Sequence, residues 1–301
     1  MRNFLKAGCF ATCFYIFISC NTTRSSKAPN DINSDLYQLV WSDEFDGHGS
    51  PDTTKWSFEN GFVRNEEHQW YQQQNAWQQN GLLVIEARKE LRQNPVYKRG
   101  SHDWRHARPN IEFTSASINT SGKYSWLYGR FVMRGKINIS DGLWPAWWTL
   151  GTQGQWPANG EIDIMEYYRR MLLANIASLG ADNKPAWFTI TKSVDSLGGT
   201  KWAAKFHVWR MDWDENQISL YLDDVLMNRV ELAKLVNHDG SGINAFNQPH
   251  YMLLNLALGG QNGGSLVNTD FPNRFVIDYV RVYQKKKDQQ KNSNMENHIG
   301  K

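Results

Sequence analysis

Beyond position 20 the chain has no cysteine: all three, Cys9, Cys13 and Cys20, lie in the first twenty residues. The body therefore holds no disulfide and no thiolate metal site, and burial alone must stabilise it. A strong excess of one charge is also missing. Lys and Arg number 33 against 30 Asp and Glu, for a formal net charge of +3. With no basic face visible, this excludes nucleic acid as the expected partner. No apolar run reaches membrane-spanning length, and the longest, Ala7 to Ile18, is too short. There is no P-loop, no glycine-rich nucleotide fingerprint, no Ser-His-Asp order and no internal repeat.

What is present is a 301-residue chain, 41% hydrophobic and 21% charged, which suits a soluble globular core. Tryptophan is abundant, at 14 residues. Some serve a core, and a protein that stacks sugar rings on flat aromatic faces has use for the rest. At the N-terminus, Arg2 and Lys6 precede the apolar run, which has the form of a signal h-region. It ends at Phe17-Ile18-Ser19-Cys20, which resembles a lipobox with Phe17 in place of the usual Leu. The expectation is a signal peptide over 1–20, with Cys20 as a lipid anchor. The protein is then secreted and held at a bacterial outer membrane or cell surface, touching membrane only through that anchor. Ordinary secretion with nearby cleavage is the alternative. A polar tether follows over 21–35, then one domain over 36–285, then a disordered polar tail over 286–301. A monomer is expected.

The domain reads as all-β. Leu82–Ala87, Tyr128–Arg134, Ile218–Leu222 and Phe275–Tyr283 are rich in β-branched and aromatic residues, and several alternate apolar with polar. Asn80-Gly81 and Asp223-Asp224 mark turns. Many short strands predict a sandwich of two antiparallel sheets. One short helix is expected near Glu231 to Val236.

The most informative stretch is Gly160-Glu161-Ile162-Asp163-Ile164-Met165-Glu166-Tyr167, with three acids in an otherwise apolar strand. Strict alternation puts Glu161 and Asp163 on one face and Glu166 on the other. A β-bulge near Ile164-Met165 corrects the parity and gathers all three. A retaining glycosidase needs such a pair of carboxyls, one to attack the anomeric carbon and one to protonate the leaving oxygen. The intervening Asp163 can hydrogen-bond the nucleophile and raise a neighbour's pKa by repulsion, as a general acid requires. A solvated acidic face and a calcium site are the competing readings.

The stretch Glu161-Ile-Asp-Ile-Met-Glu166 resembles the bulged active-site motif of glycoside hydrolase family 16. So do Leu39-Val-Trp-Ser-Asp-Glu-Phe-Asp-Gly47, Asn65-Glu-Glu-His-Gln-Trp-Tyr71, Gly142-Leu-Trp-Pro-Ala-Trp-Trp-Thr-Leu-Gly151, Asn255-Leu-Ala-Leu-Gly-Gly260 and Asp278-Tyr-Val-Arg-Val-Tyr283, in order. The resemblance covers nearly the whole domain and is nearest to the laminarinase-like subgroup. It implies a β-jelly-roll with a concave substrate cleft, and no cofactor for catalysis. Glu161 would be nucleophile, Glu166 acid/base and Asp163 the assisting acid. It also implies a structural calcium ion on the convex side, at Glu44, Gly81 and Asp278. The implied substrate is a β-1,3- or mixed β-1,3/1,4-glucan cut internally. A mucin glycan, poly-N-acetyllactosamine or algal galactan is the alternative, and a catalytically silent glycan binder a further one. One departure stands out: many laminarinases carry His two residues before a Gly after the catalytic strand, where this chain has Ser178.

Trp144, Trp148 and Trp156 are candidate sugar platforms, and one of Trp147 and Trp148 should be core because neighbours alternate faces. Arg64, Asn65 and Glu67 precede an aromatic pair and are candidates to hydrogen-bond hydroxyls. Gln261 and Asn262 follow a Gly pair and are candidates to line the cleft. His207 reads as structural, with assistance to the acid/base as the alternative.

Overall fold

The computed structural model describes residues 36–286. The signal peptide, Cys20, the tether and nearly all of the tail lie outside the described residues.

The alternating stretches form strands, each somewhat longer than the sequence indicates: Leu82–Gln93, Gly129–Lys136, Gln217–Leu222 and Asn273–Lys285. Both expected turns are two-residue hairpin loops. Asn80-Gly81 joins Ala76–Gln79 to Leu82–Gln93, and Asp223-Asp224 joins Gln217–Leu222 to Val225–Glu231. All four turn residues have positive φ, between 48° and 69°. That twist matches the flanking strands, and Asn, Asp and Gly tolerate it best. The expected helix near 231–236 shrinks to a 3-10 turn, Leu232–Lys234.

Two sheets result. One has ten strands, with Asn273–Lys285 paired between Gly129–Lys136 and Leu82–Gln93. The other has seven, in the spatial order Pro185–Ser193, Met171–Leu179, Glu161–Tyr168, Leu143–Gly151, His250–Leu258, Ser117–Asn119 and Ser57–Phe58. Inward residues of both sheets form one core. It includes Phe131, Met133, Val280 and Val282 from the first sheet and Trp147, Ile162, Ile176 and Leu254 from the second. Seven tryptophans, among them Trp41, Trp56, Trp126 and Trp213, belong to this core. Burial of such large side chains is the main stabilising term in a chain whose body lacks disulfides.

His207 lies in the ten-stranded sheet, stacked on Trp202 at 4.0 Å between centroids. Its Nδ1 is 2.6 Å from Asp223 and its Nε2 2.9 Å from the Trp202 carbonyl. Both ring nitrogens are thus committed to the fold, and the assisting role drops away.

Candidate active site

The seven-stranded sheet turns one face inward and carries the acids on the other. On the strand Glu161–Tyr168 the pairing slips between Asp163 and Glu166 against Met171–Leu179, and between Asp163 and Met165 against Leu143–Gly151. Ile164 is the extra residue. Ile164 and Met165 both enter the core, so parity shifts by one and Glu166 returns to the face of Glu161 and Asp163. Gly160 launches the strand at φ 74°, where a Cβ would come within 2.8 Å of the Ala245 Cβ.

Register then fixes three rows across that face. They run Tyr251–Leu150–Glu161–Ala177–Trp187, Leu253–Trp148–Asp163–Asn175–Thr189, and Asn255–Ala146–Glu166–Leu173–Thr191. Asn175 is central. Its Nδ2 donates to Asp163 Oδ2 at 3.1 Å and to Glu166 Oε2 at 2.7 Å. The Trp144 indole N–H donates to the other Glu166 oxygen at 2.7 Å. The Trp156 indole N–H donates to Glu161.

Burial raises the pKa of all three acids. Glu166 is pushed up to about 7, mainly by desolvation, against the opposing hydrogen bond from Trp144. Asp163 rises well above the usual carboxylate range, through desolvation and then the charges of Glu161 and Glu166. Glu161 is raised by desolvation but eased by hydrogen bonds from Asp163 and Trp156. Three close carboxyls cannot all ionise together, and the most buried one keeps its proton. With its proton kept, Asp163 can donate to an ionised Glu161 beside a Glu166 poised near neutrality, an arrangement suited to a nucleophile and a general acid held apart by environment.

The remaining candidates divide. Trp156 is 49% exposed and offers a free face. Trp144 and Trp148 lie on the outer face but are buried, 6% and 8% exposed. Trp144 acts through its N–H on Glu166. Trp148 donates to Asn255 Oδ1 at 2.8 Å and carries the Arg64 guanidinium 5.1 Å above its ring. Trp147 is the core member of the pair. Asn65, Gln261 and Asn262 are exposed, and the Gln261 N–H donates to the Asn65 carbonyl at 2.9 Å, which joins the two loops. Arg64 donates to Glu59.

Two expectations need correction, and a third concerns calcium. Glu67 is 2% exposed and cannot meet a sugar hydroxyl. It accepts from Gln69 at 2.6 Å and Tyr71 at 3.2 Å, while Tyr71 Oη accepts from Asn255 at 3.1 Å. That chain ends at the Trp148 indole, so Glu67 anchors the wall from behind. Ser178 does not reach the cleft either: alternation turns it inward at 2% exposure, and Ala177 faces outward in its place. The carboxylates of the expected calcium set are already engaged. Both Glu44 oxygens accept from Arg281, at 2.8 and 2.7 Å, and Asp278 pairs with Arg134. Gly81 is the second residue of a hairpin turn. Among the described residues, no three His, Cys, Asp or Glu side chains gather as a metal site. An arginine supplies the positive charge that each carboxylate would otherwise seek.

The model of the Glycosyl hydrolases family 16 matches residues 63–281. The chain belongs to glycosyl hydrolase family 16. A Beta-glucanase of Rhodothermus marinus is 35% identical, over 89% of this chain and 92% of that protein. A solved structure described under "Prominent members of the human gut microbiota express endo-acting O-glycanases to initiate mucin breakdown" superposes with a TM-score of 0.76. It is 32% identical and covers 84% of this chain and 92% of its own. The laminarinase catalytic domain of Thermotoga maritima superposes at 0.70, also 32% identical, over 84% and 100%. As a family 16 member the chain is a glycosidase with the jelly-roll sandwich, and its catalysis needs no cofactor. The roles of Asn175, Tyr71 and Asn255 escape a sequence reading because nothing along the chain marks an Asn or Tyr with its cross-strand partner.

Proposed function

We propose that this glycosidase cuts β-1,3- or mixed β-1,3/1,4-glucan internally with retention of configuration. The bulged strand carries the proposal, because it gathers Glu161, Asp163 and Glu166 on one face with Glu166 held near pH 7. Glu161, ionised, attacks the anomeric carbon while Glu166 gives its proton to the departing glycosidic oxygen. Glu166, now a carboxylate, takes a proton from water, which displaces Glu161 from the sugar and restores both groups. Asp163 keeps its proton and steadies the Glu161 carboxylate between turnovers. Asn175 and Trp144 hold Glu166 by both oxygens, so its carboxyl is aimed before substrate arrives. Likeness to a Beta-glucanase and to a laminarinase domain supports the glucan.

A second reading, an endo-β-galactosidase-like activity on mucin O-glycans, poly-N-acetyllactosamine or algal galactan, draws on the 0.76 superposition. Ser178 no longer bears on the choice, since it faces the core. The purified enzyme would be incubated with laminarin, barley mixed-linkage glucan, agarose, porphyran and mucin O-glycans. Short oligomers of β configuration from either glucan are expected. Release from mucin or a galactan alone would overturn the substrate, and an inverted first product the mechanism. The apolar run before Cys20 supports a lipid-anchored surface location, which labelled fatty acid incorporation into wild type but not Cys20→Ala would bear out.

A further inference from the structure

Two of the tryptophans are substantially exposed, Trp156 at 49% and Trp187 at 45%. Trp156 is tied to Glu161 and belongs to the site above. Trp187 has no part in the core or its satellite clusters. It lies on the edge strand Pro185–Ser193, opposite Ala177, which is itself opposite Glu161. Directly opposed residues share a face, so the Trp187 side chain emerges beside the carboxylates. Two strand spacings set its backbone about 10 Å from that of Glu161. A single sugar ring does not bridge that gap. Ala177 raises no bulky side chain in between.

The same side of the edge strand continues with Thr189 and Thr191, both exposed, in register with Asn175 and Leu173. The strand is firmly held. All nine of its residues are paired with Met171–Leu179, and Asn228 Nδ2 donates to the Phe188 carbonyl at 2.9 Å and the Ala174 carbonyl at 2.8 Å. An exposed indole on an edge strand is a liability that sequences ordinarily avoid. Here it offers a flat apolar face next to hydroxyls, on a rigid continuation of the active-site face. A β-linked hexose presents the complement, a C–H face with hydroxyls at its rim.

We infer that Trp187, with Thr189 beside it, forms a remote subsite for a hexose of the polysaccharide beyond the sugars flanking the scissile bond. The inference rests on Glu161 and Glu166 being the hydrolytic pair of an endo-acting enzyme. A remote subsite contributes only to substrates long enough to fill it, so it sets how strongly cleavage improves with chain length.

The test measures kcat/KM over a ladder of oligosaccharides, from the shortest cleaved to the polymer, using whichever polymer the wild type cuts. In Trp187→Ala the ratio of long-substrate to shortest-substrate kcat/KM should fall about tenfold, equivalent to about 1.4 kcal/mol. Trp187→Phe, which keeps a flat face, should recover most of it. Trp187→Thr, suited to an edge strand, provides the same comparison should the alanine variant fold poorly. An unchanged ratio in both the Ala and Thr variants would overturn the subsite. A wild type that cuts none of the glucans, galactans or mucin glycans would overturn the functional reading beneath it.

Discussion

At the scale of single residues, the candidate site gives three carboxyls three environments. Glu166 is desolvated yet held at both oxygens by Asn175 and Trp144, which leaves it near pH 7. Loss of its proton should therefore form the basic limb of the kcat/KM profile at about pH 7. Glu166→Gln should cost about 10²–10⁴-fold on natural polymers and abolish that limb. A profile whose basic limb persists in the variant would assign the acid elsewhere. The same shift has a stability consequence. Because the folded pKa lies above the unfolded one near 4.5, the folded state binds the proton more tightly. This contribution is full below pH 4.5 and lost as pH rises through about 7. Thermal melts across that window should decline more steeply for wild type than for Glu166→Gln.

At the scale of elements, the bulge at Ile164 decides on which face Glu166 stands, because an unbulged strand of the same length would turn it inward. Deleting Ile164 would leave Glu161, Asp163 and Glu166 at every second position of a regular strand, all on the outer face, so the shortened chain should keep measurable activity where it folds; complete loss of activity in a folded variant would make the bulge itself essential. Gly160 sets the start of the same strand. Gly160→Ala adds a Cβ 2.8 Å from that of Ala245 at a φ of 74°. The strain should destabilise the domain by about 1–3 kcal/mol. Since the displaced segment begins at Glu161, kcat should fall as well. A variant with wild-type melting and wild-type kcat would show that the strand start tolerates the change.

At the scale of the whole molecule, the sandwich is held by burial and by internal charge pairs such as Arg130–Asp212, Arg134–Asp278 and Arg281–Glu44. The Arg281–Glu44 pair occupies the place where the family resemblance had suggested calcium. Adding EDTA should leave the melting temperature unchanged. Arg281→Ala should lower stability by about 1 kcal/mol, or about 2–4 °C for a domain of this size. A large EDTA-induced drop would return a cation to that region.

The sequence by itself determined the all-β class, the hairpin turns and the identity of the acidic strand. These depend on period-two alternation, turn chemistry and three acids within six residues, all local properties. It also determined the need for a bulge, because parity is counted along one strand. Tertiary structure alone decided what the side chains touch. Glu67 and Ser178 look like cleft residues in the sequence, yet one is a buried anchor and the other faces the core. The two carboxylates of the expected calcium set became arginine partners because Arg134 and Arg281 come from strands distant in sequence from Asp278 and Glu44 respectively. Asn175 joined the acids, and Trp187 their face, only through the register of strands that pair side by side. Cross-strand register is set by packing over the whole sheet, and no single stretch of the chain encodes it.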